Sequence, residues 1–289
     1  MYLNQLPDTQ TEFTLHRFQG FPADGVTLED TSASLTVAVV LDTETTGLDT
    51  AVDEIIEIAA RLIYYDKTSG TICRIGPAFQ ALQQPSQPLD DDIKRITGLT
   101  DEILAGQSID WDEFADFCSD AQLFIAHNAG FDRPMVDRFS PRTRSVCWAC
   151  SFSQIPWRDW FPVAKQEVLS VFHGFFYTGH RALIDVDSLL QMLSLPMPDH
   201  PDESYFSTLI SNARKPTVRV SAVGSPFETK DVLKKHKYKW NPDARVWHKT
   251  VPFDLLDEET LFLAEEVYPS GQCEAEITHI AVCDNFKPI

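Results

Sequence analysis

At 289 residues, 43% of them hydrophobic, the chain is long enough to bury a substantial core and reads as one larger domain joined to a small one. Six cysteines scattered between positions 73 and 283 are too few and too irregular for a secreted disulfide framework, and no stretch approaches the apolar length of a membrane span. A soluble, cytoplasmic protein with no membrane partner is the expectation. The net charge of -19 excludes loose adhesion to nucleic acid through the whole surface.

Residues 1–34 are polar and aperiodic and read as an N-terminal arm. The run Leu35 to Leu41 is continuous, apolar and β-branched, as in a strand buried on both faces. Ile55 to Tyr65 and Thr71 to Phe79 complete an antiparallel meander. Ile93 to Leu104 and Trp111 to Ser119 place apolar residues three and four apart and predict short amphipathic helices. Leu123 to Ala126 is a short buried strand, and the segment after Asn128 opens a helix reaching Phe139. Pro141 to Arg144 breaks the pattern, and helices are expected near 145–155, 163–173 and 181–194. Strands first and helices later predict an α/β domain over 35–195 built on a mixed sheet. A linker over 196–215 then leads to a small α+β module over 216–289, with a strand from Val218, a helix over Glu228 to His236, a strand over Arg245 to Val251 and an acidic tail.

The chemistry begins where the first buried strand ends. Asp42 and Glu44 are two residues apart, so a strand puts both carboxylates on one side. Hard divalent cations take oxygen ligands, and ligands gather beyond the carboxyl ends of strands in such sheets. Thr45, Thr46 and Gly47 form a tight turn beside those acids. The exit of the Leu123 strand repeats the design with His127, Asn128 and Asp132, and a third carboxylate, Asp185, follows His180. Spacing alone is poor evidence, because His followed five residues later by Asp occurs at 127/132, 180/185 and 279/284. Order and context decide.

Asp42-Thr-Glu-Thr-Thr-Gly47, His127-Asn-Ala-Gly-Phe-Asp132 and His180-x4-Asp185, in this order, resemble the three exonuclease motifs of the DEDDh group. That group is the proofreading-subunit, DnaQ-like branch of the ribonuclease-H-like superfamily. Ile96 to Leu104 and, more loosely, Val146 to Ser153 resemble the segments between those motifs. The resemblance covers about residues 35–195. It implies a ribonuclease-H-like mixed sheet flanked by helices and a 3′-to-5′ exonuclease releasing nucleoside monophosphates. It also implies two Mg²⁺ or Mn²⁺ ions held by Asp42, Glu44, Asp132 and Asp185, with His180 as general base. Thr45, Thr46, Gly47 and Leu48 would grip the terminal nucleotide, Leu48 as a wedge under its base, while His127 and Asn128 either orient the strand or pin the fold. The partner implied is a nucleic acid with a free 3′ end, single-stranded by preference. An exoribonuclease and a non-catalytic binder retaining the fold are the alternatives, and the full set of four acids plus histidine favours an enzyme. Asp187, two residues past Asp185, reads as a solvated or capping acid.

Residues 214–249 carry ten basic and three acidic side chains. Lys234, Lys235, Lys237, Lys239 and Arg245 alternate with aromatic residues, as on surfaces where cations track phosphates and rings stack on bases. The segment Ser225 to Val251 resembles the HARP-type accessory modules of annealing helicases and implies a nucleic-acid or protein contact; Trp240 and Trp247 read as its core. Gln191 to Pro196 resembles the short Gln-initiated peptides by which replication proteins hold a sliding clamp, although its apolar residues also continue the preceding helix; a replication or repair protein is the partner expected.

Overall fold

The computed structural model describes residues 13–29 and 34–288. Two compact units divide the chain, Met1–Ala213 with Phe286–Ile289, and Arg214–Asn285. The larger unit holds strands β1 (His16–Arg17), β2 (Val26–Thr27), β3 (Thr36–Thr45), β4 (Ile55–Asp66), β5 (Thr71–Leu82), β6 (Leu123–Ala126), β7 (Cys147–Cys150) and β8 (Phe175–Phe176). Six of them form one mixed sheet in the order β2-β5-β4-β3-β6-β7. β3 runs antiparallel to β4 and parallel to β6.

The apolar run of β3 is buried on both faces because alternate residues enter different cores. Ala38 and Val40 join a cluster with Leu189, Leu190, Tyr205 and Phe206. Val39 and Leu41 join another with Phe114, Phe124, Met135 and Trp148. Helices cover both faces: α1 (Asp91–Thr97), α2 (Asp101–Leu104), α3 (Trp111–Phe117), α4 (Ala129–Asp137), α5 (Pro141–Ser145), α6 (Ser151–Gln154), α7 (Trp157–Trp160), α8 (Gln166–Phe172), α9 (Ala182–Leu193) and α10 (Tyr205–Ala213). The mixed sheet flanked by helices is the architecture expected from the sequence.

Several local expectations are corrected. The periodic run from Ile93 to Leu104 is two helices, because Gly98 adopts φ 69° and caps the first. Pro141 starts a short helix instead of breaking one, as suits proline in a first turn. Cys147–Cys150, expected to be helical, is a strand pairing parallel with β6; four apolar residues are too short a run for periodicity to separate helix from strand. Residues 205–213, assigned from sequence to a linker, are α10, with Tyr205, Phe206 and Leu209 fully buried. Of the expected arm, residues 13–29 supply β1, which pairs with β8, and β2 at the sheet edge; residues 1–12 and 30–33 lie outside the described residues. Met192 and Leu193 are fully buried, so the segment resembling a clamp-binding peptide is the end of α9 and part of the core.

Asp187 is also corrected. It is 2% exposed and pairs with Arg61, itself fully buried. Burial outweighs Arg61 and holds its carboxyl above the ordinary range.

The smaller unit is a four-stranded antiparallel sheet of β9 (Thr217–Ser221), β10 (Lys239–Asn241), β11 (Val246–Pro252) and β12 (Glu276–Ile280), ordered β10-β11-β9-β12. Helices α11 (Lys230–Lys235) and α12 (Leu256–Glu266) share its core of Val218, Val220, Leu233, Tyr238, Val251 and Leu263. The acidic stretch read as a tail is therefore folded, supplying α12 and β12. No described helix is long and apolar enough to cross a membrane.

Candidate active site

β3 extends through Thr45, so Asp42 and Glu44 lie on the strand itself and share a face. Their partner Asp185 sits in the first turn of α9, where its Oδ2 accepts the backbone N–H of Arg181 at 3.1 Å. Ligand oxygens of Asp42, Glu44 and Asp185 all lie within 4.8 Å of one another. Asp132, in the first turn of α4, is outside that group of three. It is 3% exposed, and its Oδ1 accepts the hydroxyl of Thr43 at 2.9 Å, which ties α4 to the end of β3.

The electrostatics follow from this crowding. Burial, then the charge of Asp132, then those of Asp185 and Glu44 hold Asp42 well above the usual carboxylate range. Burial and the Asp185 charge push Glu44 up to about 8. Burial raises Asp132 to about 7, against the hydrogen bond from Thr43. Burial likewise raises Asp185 to about 6, against the hydrogen bond from the Tyr177 hydroxyl. An all-oxygen donor set whose members repel one another fits a hard divalent cation, which would neutralise them together.

Sequence reasoning missed the supports. Glu57 stands opposite Glu44 on β4 and is fully buried. It accepts Gln80 Nε2 at 2.6 Å, Arg181 Nε at 3.1 Å and the Ala182 N–H at 3.3 Å. Its signal was available, because a glutamate inside the run Ile55 to Ala60 demands a partner once buried. Gln166 braces the other side, donating to Tyr177 Oη at 3.1 Å and to the Asp185 carbonyl at 2.7 Å.

The two histidines separate cleanly. His127 is held at both ring nitrogens, by Ser151 Oγ at 2.8 Å and the Ala164 carbonyl at 2.8 Å, and burial lowers its pKa to about 4. It pins the exit of β6 to the neighbouring elements. Asn128 is exposed, with φ 98°, and caps α4 without a side-chain hydrogen bond. His180 lies just before α9 with φ 66°, its side chain 47% exposed and its Nε2 3.4 Å from Glu167 Oε1.

In the turn after β3, the Thr45 hydroxyl donates to the Gly47 carbonyl at 2.6 Å. Thr46 Oγ1 donates to Asp53 at 3.3 Å and accepts the Glu54 N–H at 2.9 Å. Both threonine side chains thus hold the turn. A Cβ at Gly47 would come within 2.5 Å of the Asp53 carboxylate, so a larger residue there would displace the side chain that holds the turn. Leu48 is left 88% exposed at the tip.

Residues 39–142 match the exonuclease (RNase_T) family profile, a span that includes Asp42, Glu44 and Asp132. That segment of the chain is therefore similar to exonuclease domains. Over 130 residues the chain is 35% identical to a PolC-type DNA polymerase III of Thermotoga maritima, covering 44% of this chain and 9% of that protein. Over 97 residues it is 41% identical to the PolC-type polymerase of Halalkalibacterium halodurans, covering 32% of this chain and 6% of that one. The matches thus span less than a tenth of those relatives' length. A solved zinc-bound complex of E. coli ExoI with single-stranded DNA superposes with TM-score 0.51 at 18% identity, covering 86% of this chain and 64% of that one. That likeness shows a shared ribonuclease-H-like fold. His180 and Asp185 lie beyond the span of the exonuclease family match.

In the smaller unit, Lys234 and Lys235 are exposed at the end of α11 and Lys239 on β10. Lys237 (φ 72°) and Arg245 (φ 51°) are exposed in left-handed turns. Trp247 packs against the core, as expected, but Trp240 is 47% exposed and tilted against it at 5.5 Å.

Proposed function

We propose that this chain is a 3′-to-5′ exonuclease of the DEDDh type that releases nucleoside monophosphates from single-stranded DNA ends. Mg²⁺ or Mn²⁺ would be held by Asp42, Glu44, Asp132 and Asp185. The observation that carries the reading is the convergence of Asp42, Glu44 and Asp185 to within 4.8 Å, in a chain whose residues 39–142 match the exonuclease family profile. DNA is favoured over RNA because the matched relatives are DNA polymerases and the superposed ExoI was solved with single-stranded DNA.

When bound, paired divalent cations offset the charge that builds on the attacking and leaving oxygens of a phosphodiester. The chain's own residues do the rest. Thr43 and Tyr177 hold Asp132 and Asp185 by hydrogen bonds, so the acids are positioned before substrate arrives. His180, exposed at the rim beside Glu167, accepts the proton of the attacking water, and Glu167 stabilises the imidazolium that results. Leu48, exposed at the tip of its turn, packs beneath the terminal base. Lys234, Lys235, Lys237, Lys239 and Arg245 add sequence-independent phosphate contacts.

The test is release of mononucleotides from 3′-labelled single-stranded DNA, duplex DNA and RNA in Mg²⁺ or Mn²⁺, with Asp42→Asn as control. Release from DNA by the wild type alone supports the reading. Cleavage of RNA but not DNA makes the chain an exoribonuclease, and no release in any arm ends the nuclease reading.

A further inference from the structure

A cleft of about 410 Å³ opens beside the acids, lined by Gln80, Ala81, Leu82, Gln107, Ser108 and Arg181. Its volume falls within the range of small-ligand sites, roughly 300 to 1,000 Å³. Arg181 is the cation in its wall, and it connects the cleft to the acid cluster: its backbone N–H donates to Asp185 Oδ2 at 3.1 Å. Its side chain is set by Glu57, with Nε 3.1 Å from Oε2 and Nη2 3.2 Å from Oε1. Glu57 is itself fully buried and held by Gln80, so the guanidinium rests on a rigid base.

A guanidinium carries five N–H donors. Glu57 takes those on the Nε and Nη2 side, and Nη1 has no hydrogen-bond partner among the described residues. The Arg181 side chain is 46% exposed, so its unspent donors are open to a ligand. The surroundings make such a cation matter, because residues 1–213 carry 13 basic and 31 acidic side chains. A polyanion approaching this unit meets net repulsion except where a fixed cation faces it.

We propose that this cleft is a binding subsite for the polynucleotide strand next to the terminal nucleotide, with Arg181 on a backbone phosphodiester and Glu57 as the residue that positions it. Gln80, Gln107 and Ser108 supply neutral donors and acceptors for sugar or base edges. A pre-aimed arginine loses little freedom on binding, which suits recognition of successive phosphates on a moving strand. This deepens the nuclease reading and rests on it for the identity of the ligand as a nucleic-acid strand.

The experiment measures fluorescence anisotropy of a labelled single-stranded DNA oligonucleotide against the full chain, in EDTA so that nothing is cut, across a salt series. Wild type is compared with Arg181→Gln and with the double variant Glu57→Gln/Arg181→Gln, which leaves no uncovered buried charge. Both variants are expected to bind about tenfold more weakly, with the salt slope shallower by about 0.7, the contribution of one single-strand phosphate. In Mg²⁺, KM rises more than kcat falls. If only the single variant loses affinity, the cause is repulsion from uncovered Glu57 and the subsite is rejected. Wild-type affinity and slope in the double variant, or no binding by the wild type, also reject it. Nucleotide release judges the nuclease reading separately: a chain that binds through Arg181 yet cuts nothing keeps the subsite and loses the activity.

Discussion

Arg61 Nε donates to Asp187 Oδ1 at 2.6 Å, and its Nη2 donates to Oδ2 at 3.0 Å, with both side chains at most 3% exposed. The same Oδ2 accepts the Phe21 N–H at 2.8 Å, and Arg61 Nη1 reaches the carbonyls of Pro22 and Gly76. One ion pair therefore joins β4, α9 and the N-terminal segment. Because Asp187 is two residues beyond Asp185 on α9, it also fixes the rotation at which that helix presents Asp185.

Asp187→Ala should accordingly cost about 3–5 kcal/mol, since it leaves a buried guanidinium without its counter-charge. A pair of exposed residues would cost under about 1 kcal/mol. Replacing both partners by apolar residues, Arg61→Met with Asp187→Leu, should recover much of the loss. Denaturant midpoints of the three variants decide it, and a single-variant loss below about 1 kcal/mol refutes the structural role.

The two histidines should fail in opposite ways. His180→Ala removes an exposed side chain at the rim of the acid cluster, so the unfolding midpoint should move little while kcat near neutral pH falls by about 10² to 10⁴. His127→Ala deletes two buried hydrogen bonds and should cost about 2–4 kcal/mol of stability. Paired calorimetry and single-turnover rates separate them. A fully active His180→Ala would remove the general-base assignment.

Legibility in the sequence tracked the range of the interaction that decides each feature. The strand periodicity that put Asp42 and Glu44 on one face is local, and β3 carries them there. The order of the acids likewise placed Asp185 beside them. Glu57 and Arg181 are 124 residues apart, and Arg61 and Asp187 are 126 apart. No window along the chain reveals such pairs, so Asp187 looked solvated and Glu57 went unread. Cys147–Cys150 failed for another reason: its strand character comes from pairing with β6, not from its own four residues.

Leu48 offers a test of substrate contact free of folding effects. At 88% exposure it contributes little to the core, so Leu48→Ala should leave the unfolding midpoint unchanged. If the side chain packs under the terminal base, KM for a single-stranded end should rise by about five- to thirtyfold, the worth of roughly 1–2 kcal/mol of apolar contact. Unchanged KM would assign the turn no part in gripping the end.

The raised acids make a prediction about pH and metal whose sign is fixed by linkage. Glu44 stands at about 8 in the fold against 4.5 when free, and Asp132 and Asp185 at about 7 and about 6. A carboxyl with a raised folded value binds its proton more tightly in the native state. Its stabilisation is complete below the free value and is lost as pH rises through the folded one. Buried His127 and His173, each lowered to about 4, act the other way and destabilise the fold as pH falls from about 6.5 toward 4. The raised carboxyls, Asp42 among them, outnumber these two histidines, so metal-free protein should lose stability as pH rises from about 5 toward about 8. A divalent cation replaces the missing protons, so added Mg²⁺ should raise the melting temperature by several degrees at about pH 8 and by much less at about pH 5. Asp42→Asn should melt higher than wild type in EDTA at about pH 8 while losing the Mg²⁺ response, because it removes one of the repelling charges along with a ligand. A metal-free wild type that grows more stable from about pH 6 to about pH 8, or a Mg²⁺ shift equal at both ends, would contradict the crowding of acids on which the proposed activity depends.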